Sequence, residues 1–288
     1  MKFTLVVAMC DPTHYLPLAT AAEAAGFDAL CVPDSLFFPE RAEGRYPYTP
    51  SGDRSFLDGA PFLDPFVVIP AMAAVTERLR FYTYVLKLPI RHPLIVAKTV
   101  SSAAVLSRNR VGLGVGLSPW IEDFRYCGQD WTSRGPRMDE MIAILRHVLS
   151  GEMVEHHGAH YDFDRLKLSP VPSEPVPIYI GGHSTAALRR AARLGDGWCT
   201  AGTDLETLRG LVERLRALRR EFGRESEPFE IQALCPEIRD LDGFRRMEEA
   251  GATDAIVGPW GIYDVDPLSV AQKQEAVRRF GEEIIAKL

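Results

Sequence analysis

Two short stretches carry the residues whose types and spacing could do chemistry. One is Gly181-Gly182, which ends the apolar run Val176 to Ile180 and precedes a helical pattern of Ala186, Ala187, Leu188, Ala191, Ala192 and Leu194. The other is Thr200-Ala201-Gly202, which ends a second short run containing Trp198. Glycines allow a tight turn and let backbone N–H groups approach a ligand, and the start of a following helix favours an anion. The chemistry suggested is the holding of a phosphate. Paired glycines at a strand–helix junction also make ordinary turns, so these residues alone leave both readings open. If the unit is a right-handed strand–helix–strand, both loops fall on one side.

Other reactive types are scattered along the chain. Asp34 ends a strand-like run, where a carboxylate either hydrogen-bonds a cofactor or caps the next segment. Arg91, beside His92, could neutralise a bound anion or form an ion pair at a rim. Trp120, Trp131 and Trp260 are candidates to line a substrate cavity, whereas Trp198 lies inside a strand pattern and is expected in the core. His156, His157 and His160 are spaced like metal ligands but sit in a charged, turn-like stretch that reads as a solvated loop. No metal site is expected. The five cysteines, at 10, 31, 127, 199 and 235, are odd in number and irregular in spacing. They read as free thiols of a reducing compartment, four of them in strand-like runs. No HExxH, GxSxG or P-loop sequence occurs. A flat apolar cofactor with a phosphate tail therefore suits the glycines and Thr200 better than a hydrolytic site does.

These residues need elements to position them. Apolar runs at 3–9, 27–32, 79–86, 111–115, 176–180, 197–200, 229–234 and 254–257 predict strands buried on both faces. Helical patterns alternate with them at 13–25, 64–76, 94–106, 137–149, 186–194, 204–222, 241–250 and 267–288, with glycine stops at 26, 151 and 195. The alternation has no internal break. It predicts one α/β domain over 1–288, a (β/α)8 TIM barrel with insertions after strands 2 and 4 and before strand 5. Residues 36–61 contain Pro39, Pro47, Pro50 and Pro61, cannot form a regular helix, and are too long for an ordinary loop. They read as a partly mobile lid. In a barrel the loops after the strands share one face, which gathers Asp34, Ser35, Tyr84 to Pro89, Gly116 to Trp120, Gly181 to Ser184 and Thr200 to Thr203. No GxGxxG follows the first strand, which disfavours an N-terminal dinucleotide-binding half.

The formal charge of the 288 residues is -6, with no long basic tract, so nucleic acid is not an expected partner. Neither a leader pattern nor a membrane-length apolar stretch is read, and a cytoplasmic location is expected.

Three stretches then identify a family. YVLKLPIRHPLIVAKTVSSAAVLSRNRVGLGVG (84–116), PIYIGGHSTAALRRAARLGDGW (177–198) and AIVGPW (255–260) resemble the luciferase-like flavin and deazaflavin oxidoreductases, nearest the group that uses coenzyme F420. The resemblance covers nearly the whole chain. It implies a (β/α)8 barrel with FMN or F420 over the mouth, and a homodimer. Matched by motif, Gly181, Gly182, Thr200, Ala201 and Gly202 would cradle the cofactor phosphate. Asp34 would contact the deazaflavin hydroxyl or ring region. Tyr84-Val85 matches the place of a non-proline cis peptide behind the cofactor ring. The sugar-phosphate dehydrogenases of this group carry a histidine base where this chain has Ser35. Their acidic residue after the strand-four glycines is Pro119 here, and a substrate-holding lysine corresponds to Thr203. Their mechanism is therefore not transferred, and no catalytic residue is assigned.

The resemblance implies an F420-dependent oxidoreductase passing hydride between the deazaflavin and a small organic substrate. The alternatives are an FMN-dependent monooxygenase served by a separate flavin reductase, and a non-catalytic cofactor-binding barrel.

Overall fold

Eight parallel strands close on themselves. They are β1 (Lys2–Val6), β2 (Ala29–Val32), β3 (Arg80–Thr83), β4 (Val111–Gly116), β5 (Ile178–Gly181), β6 (Gly197–Cys199), β7 (Glu230–Ala233) and β8 (Asp254–Val257). The computed structural model describes residues 1–288 apart from Tyr48 and Pro50. Each strand pairs with its sequence neighbour, and the ring closes where Lys2 to Leu5 of β1 lie opposite Asp254 to Val257 of β8. The near-continuous apolar runs are what such a sheet requires, because side chains face both the barrel axis and the helices outside.

Around the strands run α1 (Tyr15–Ala24), α2 (Pro65–Ala73), α3 (Pro93–Leu106), α4 (Arg134–Val148), α5 (Thr185–Leu194), α6 (Leu205–Glu221), α7 (Leu241–Glu249) and α8 (Val270–Glu283). Short polar side chains start several of them. Asp204 accepts the Thr207 amide at 2.7 Å, Asp240 the Gly243 amide at 2.7 Å, and Asp64 the Phe66 amide at 2.8 Å just before Pro65. The main core fills the space between strands and helices, with Trp198 fully buried in it as its strand position predicts. Both chain ends are held there. Phe3 of β1 meets Phe244 of α7 and Phe280 of α8 edge-on, each with ring centroids 5.4 Å apart. A smaller cluster inside the barrel contains Ala29, Cys31, Tyr82, Tyr179 and Ile256.

The insertions fall where the sequence predicts them, with more internal order. The third strand is not one run over 79–86. It breaks after Thr83 at the cis peptide Tyr84-Val85 and resumes at Leu86–Lys87, which pairs with Val115 and Gly116 of β4. The excursion at 118–134 holds a short helix, Ile121–Tyr126, and α4 starts at Arg134 rather than 137. The segment at 154–168 is an antiparallel hairpin of Val154–His157 and Asp162–Leu166. A short helix, Pro259–Ile262, precedes α8, which begins at Val270 rather than 267. Amphipathic periodicity detects long helices well, but one-turn helices and hairpins bury too little for a pattern to show.

The segment at 36–61, as far as it is described, has a one-turn helix at Ser55–Leu57 and docks on the second insertion. The Glu43 amide donates to Glu122 at 2.8 Å, and the Glu43 carboxylate pairs with Arg125 at 2.5 Å. Tyr46 stacks on Trp120 with centroids 5.7 Å apart. Pro50 lies outside the described residues.

Candidate functional site

The two glycine loops lie side by side because β5 and β6 are neighbours, with Gly181 opposite Cys199. Gly182 has φ 115° and Gly202 φ 97°, backbone conformations that L side chains rarely adopt. Between them, His183 Nε2 accepts the Ala201 amide at 3.0 Å. This requires a neutral ring at Nε2, and burial holds the imidazole below its ordinary pKa. Trp198 anchors the first loop from below, its indole N–H donating to the Gly182 carbonyl at 2.8 Å. Thr200 Oγ1 accepts the Leu234 amide at 2.9 Å and keeps its own hydroxyl proton for another partner. Ser184 caps α5 through the Ala187 amide at 3.2 Å, so the first turn of that helix opens beside the loops.

Tyr84 and Val85 stand on the adjoining side of the mouth. The Tyr84 hydroxyl donates to the Thr200 carbonyl and ties the broken third strand to the β6 loop. Val85 occupies the space that three glycines leave. A Cβ on Gly116 would lie 2.8 Å from Val85 Cγ2, and one on Gly181 would lie 3.0 Å from Val85 Cγ1. A Cβ on Gly114 would lie 1.9 Å from the Thr83 carbonyl oxygen. The glycine run Gly112, Gly114 and Gly116 thus accommodates a neighbouring strand and a valine, which decides between the neighbouring chain and the ligand that the sequence leaves open for it.

Asp34 is turned to the rim. Arg91 donates to both its oxygens at 2.9 Å, and the Lys87 amide adds a third bond at 2.9 Å. Of the two sequence readings of Arg91, the structure makes the rim ion pair. Sequence reasoning also missed a second buried pair, Lys87 with Asp123 at 2.7 Å, in which Asp123 further accepts the Ser118 hydroxyl. Their separation of 36 positions carries no local pattern. His183 was legible only as a histidine between the glycines and α5.

The remaining candidates divide. Trp120 lines a cavity under the lid. Trp131 instead packs edge-on against Phe124 and under the Arg134 guanidinium, and Trp260 faces the Lys273 ammonium at 4.9 Å. His156 bonds Glu140 at 2.9 Å and His157 bonds Asp162 at 2.5 Å, so these two rings serve different carboxylates. The five cysteines are free, and Cys10, Cys31, Cys199 and Cys235 are buried. A larger cavity, about 370 Å3, opens at the opposite end of the barrel beside Lys2, Arg80, Glu230 and Asp254. The glycine loops follow the strand C-termini, the end at which barrels of this type carry their chemistry.

Residues 6–240 match the family described as luciferase-like monooxygenase, and the chain belongs to that family. It is an enzyme of the luciferase-like oxidoreductase superfamily. It is 47% identical over 292 aligned positions, spanning all of both chains, to an uncharacterized protein of Mycobacterium tuberculosis. It is 30% identical over 200 positions to the F420-dependent glucose-6-phosphate dehydrogenase of Amycolatopsis mediterranei, covering 68% of this chain and 55% of that protein. The fold matches the coenzyme F420-dependent tetrahydromethanopterin reductase of Methanopyrus kandleri with a TM-score of 0.77 at 15% identity, over 99% of each chain. No described helix is long and apolar enough to cross a membrane.

Proposed function

We propose that the protein is an F420-dependent oxidoreductase acting on a small organic substrate. The observation that carries this reading is the pair of adjoining loops with left-handed Gly182 and Gly202, facing the Tyr84–Val85 break in the third strand. Gly181, Gly182, Thr200, Ala201 and Gly202 hold the cofactor phosphate, with His183 keeping the two loops in register. The Gly182 and Gly202 amides, the Thr200 hydroxyl and the first turn of α5 are donors, which suits an anion. Tyr84 and Val85 present a surface against which a flat ring can rest. Asp34 acts at the ring end of the site and is oriented by Arg91 and the Lys87 amide. The bound deazaflavin would supply two-electron hydride chemistry, while this chain binds, orients and excludes water. The match to the Amycolatopsis dehydrogenase supports F420 over FMN.

The family's monooxygenase description supports a second reading, an FMN enzyme fed by a separate reductase. Fluorescence titration with F420 and FMN separates them. F420 is expected to bind the more tightly, and Gly202→Val to weaken it by roughly tenfold or more, because a β-branched residue resists positive φ. Tight FMN binding with no measurable F420 affinity would overturn the first reading.

A further inference from the structure

The first insertion, with Trp120 of the second, borders a cavity of about 260 Å3. Phe37, Phe38, Leu57, Phe62 and Trp120 wall it, and Ser35, which leaves β2 directly after Asp34, joins them. We propose that this vault is the substrate pocket, and that it takes a planar, apolar molecule of one or two rings with a single hydrogen-bonding oxygen. It is not a sugar-phosphate site. The inference deepens the oxidoreductase reading and rests on it.

The lining decides the chemistry. Its one charged residue is Arg54, and that charge is already used. The guanidinium lies 4.2 Å above the Phe38 ring and 5.6 Å from the Trp120 ring, and Nη2 donates to the carbonyls of Pro39 at 2.6 Å and Glu40 at 3.1 Å. Arg54 therefore braces the backbone of its own segment and is not left to receive a phosphate. The neighbouring carboxylates are not part of the lining. Asp34 serves Arg91, while Asp123 pairs with Lys87 and Ser118 and Glu122 with the Glu43 amide, these last two each leaving one buried oxygen without a partner among the described residues.

Of the lining side chains, Ser35 carries a hydroxyl with no protein partner among the described residues. One free hydroxyl in an aromatic-walled space can satisfy one ligand oxygen. A sugar phosphate would bring several hydroxyls and a dianion with nothing to pair them, and unpaired buried polar groups are strongly disfavoured. Flat rings, by contrast, bury apolar surface against Phe37, Leu57 and Phe62 without needing further polar partners. The volume falls just below the usual ~300–1,000 Å3 of drug-sized sites, which limits the ligand to a small ring system.

Two sets of titrations test this. F420 and FMN are titrated first, which examines the cofactor reading by itself. Naphthalene, 2-acetylnaphthalene and glucose 6-phosphate are then titrated against the cofactor-free chain, read by tryptophan quenching and by calorimetry. Saturable binding of both naphthalenes is expected, with none of glucose 6-phosphate. Ala60→Trp, which fills the vault, is expected to weaken both naphthalenes by about tenfold or more. Ser35→Ala is expected to weaken 2-acetylnaphthalene by roughly three- to tenfold and leave naphthalene unchanged, as loss of one neutral hydrogen bond would. Thermal unfolding checks that the variants fold, and the Ser35→Ala comparison stands alone if Ala60→Trp does not. Unaltered binding to a folded Ala60→Trp, no discrimination by Ser35→Ala, or tighter binding of glucose 6-phosphate would each overturn the proposal. Naphthalene binding without cofactor binding overturns the cofactor reading and leaves the vault. Cofactor binding without naphthalene binding does the reverse.

Discussion

Asp254 shows how much one residue inside a barrel can govern. It is 2% exposed on β8. Its Oδ2 accepts the Thr4 hydroxyl at 2.8 Å, and its Oδ1 has no partner among the described residues. Burial pushes its carboxyl up to about 7, with the charges of Glu230 and Asp28 adding to the rise. A folded-state value above the unfolded one means the native state binds the proton more tightly. The contribution is therefore full below about pH 4 and is lost as pH rises through about 7. Asp254→Asn should have little effect near pH 4, stabilise the protein increasingly as pH rises toward 7, and stabilise it by on the order of 3 kcal/mol at pH 8. Thermal unfolding of both proteins across pH 4–9 checks this, and a pH-independent difference would refute it. Gly114 is the opposite kind of residue, controlled by space rather than charge. Its missing Cβ would fall 1.9 Å from a backbone oxygen, which cannot rotate away. Gly114→Ala should cost roughly 3 kcal/mol or prevent folding, measured by denaturant unfolding.

At the scale of elements, the lid is joined to the second insertion by a few identifiable contacts. Arg54 braces the segment from within, since it bonds the Pro39 and Glu40 carbonyls and covers Phe38, and it reaches the second insertion through the Trp120 ring. Its loss should loosen the lid without unfolding the barrel, because the lid contributes none of the buried residues of the main core. Arg54→Ala is expected to speed proteolytic cleavage within 36–61 several-fold while lowering global stability by about 1 kcal/mol or less. Cleavage rates unchanged from wild type would show that other contacts hold the segment. The barrel mouth illustrates the same principle. Its two loops are adjacent only because β5 and β6 pair in register, and Tyr84 reaches Thr200 only because the third strand breaks at residue 84.

At the scale of the whole molecule, α2 and α3 present apolar side chains that a lone chain leaves uncovered. Val67 on α2 is 71% exposed, and Ile95 and Leu106 on the neighbouring α3 are 67% and 70% exposed. α2 is apolar on every side, as buried helices are and surface helices are not, and α3 sets Ile95 and Leu106 beside Lys98, Thr99 and Ser102 on its outward side. The expected assembly is a homodimer through this face. Light scattering should give a dimeric mass for the wild type and a monomeric one for a Val67→Glu, Ile95→Glu double variant. A concentration-independent monomeric wild type would contradict it.

The chain's own pattern determined the alternation of strands and helices, their number, and the places of the three insertions. These depend on local apolar periodicity and glycine stops, which neighbouring residues encode. Family-specific motifs also placed Gly181, Gly182, Thr200, Ala201 and Gly202 at the mouth. Tertiary structure alone decided that Asp34 is paired with Arg91, that Lys87 meets Asp123, and that His183 bridges to Ala201. It also showed that the strand-four glycines make room for Val85 and Thr83. Each of these is a contact between residues far apart in sequence. Their geometry follows from barrel closure and strand register, and no local propensity records it.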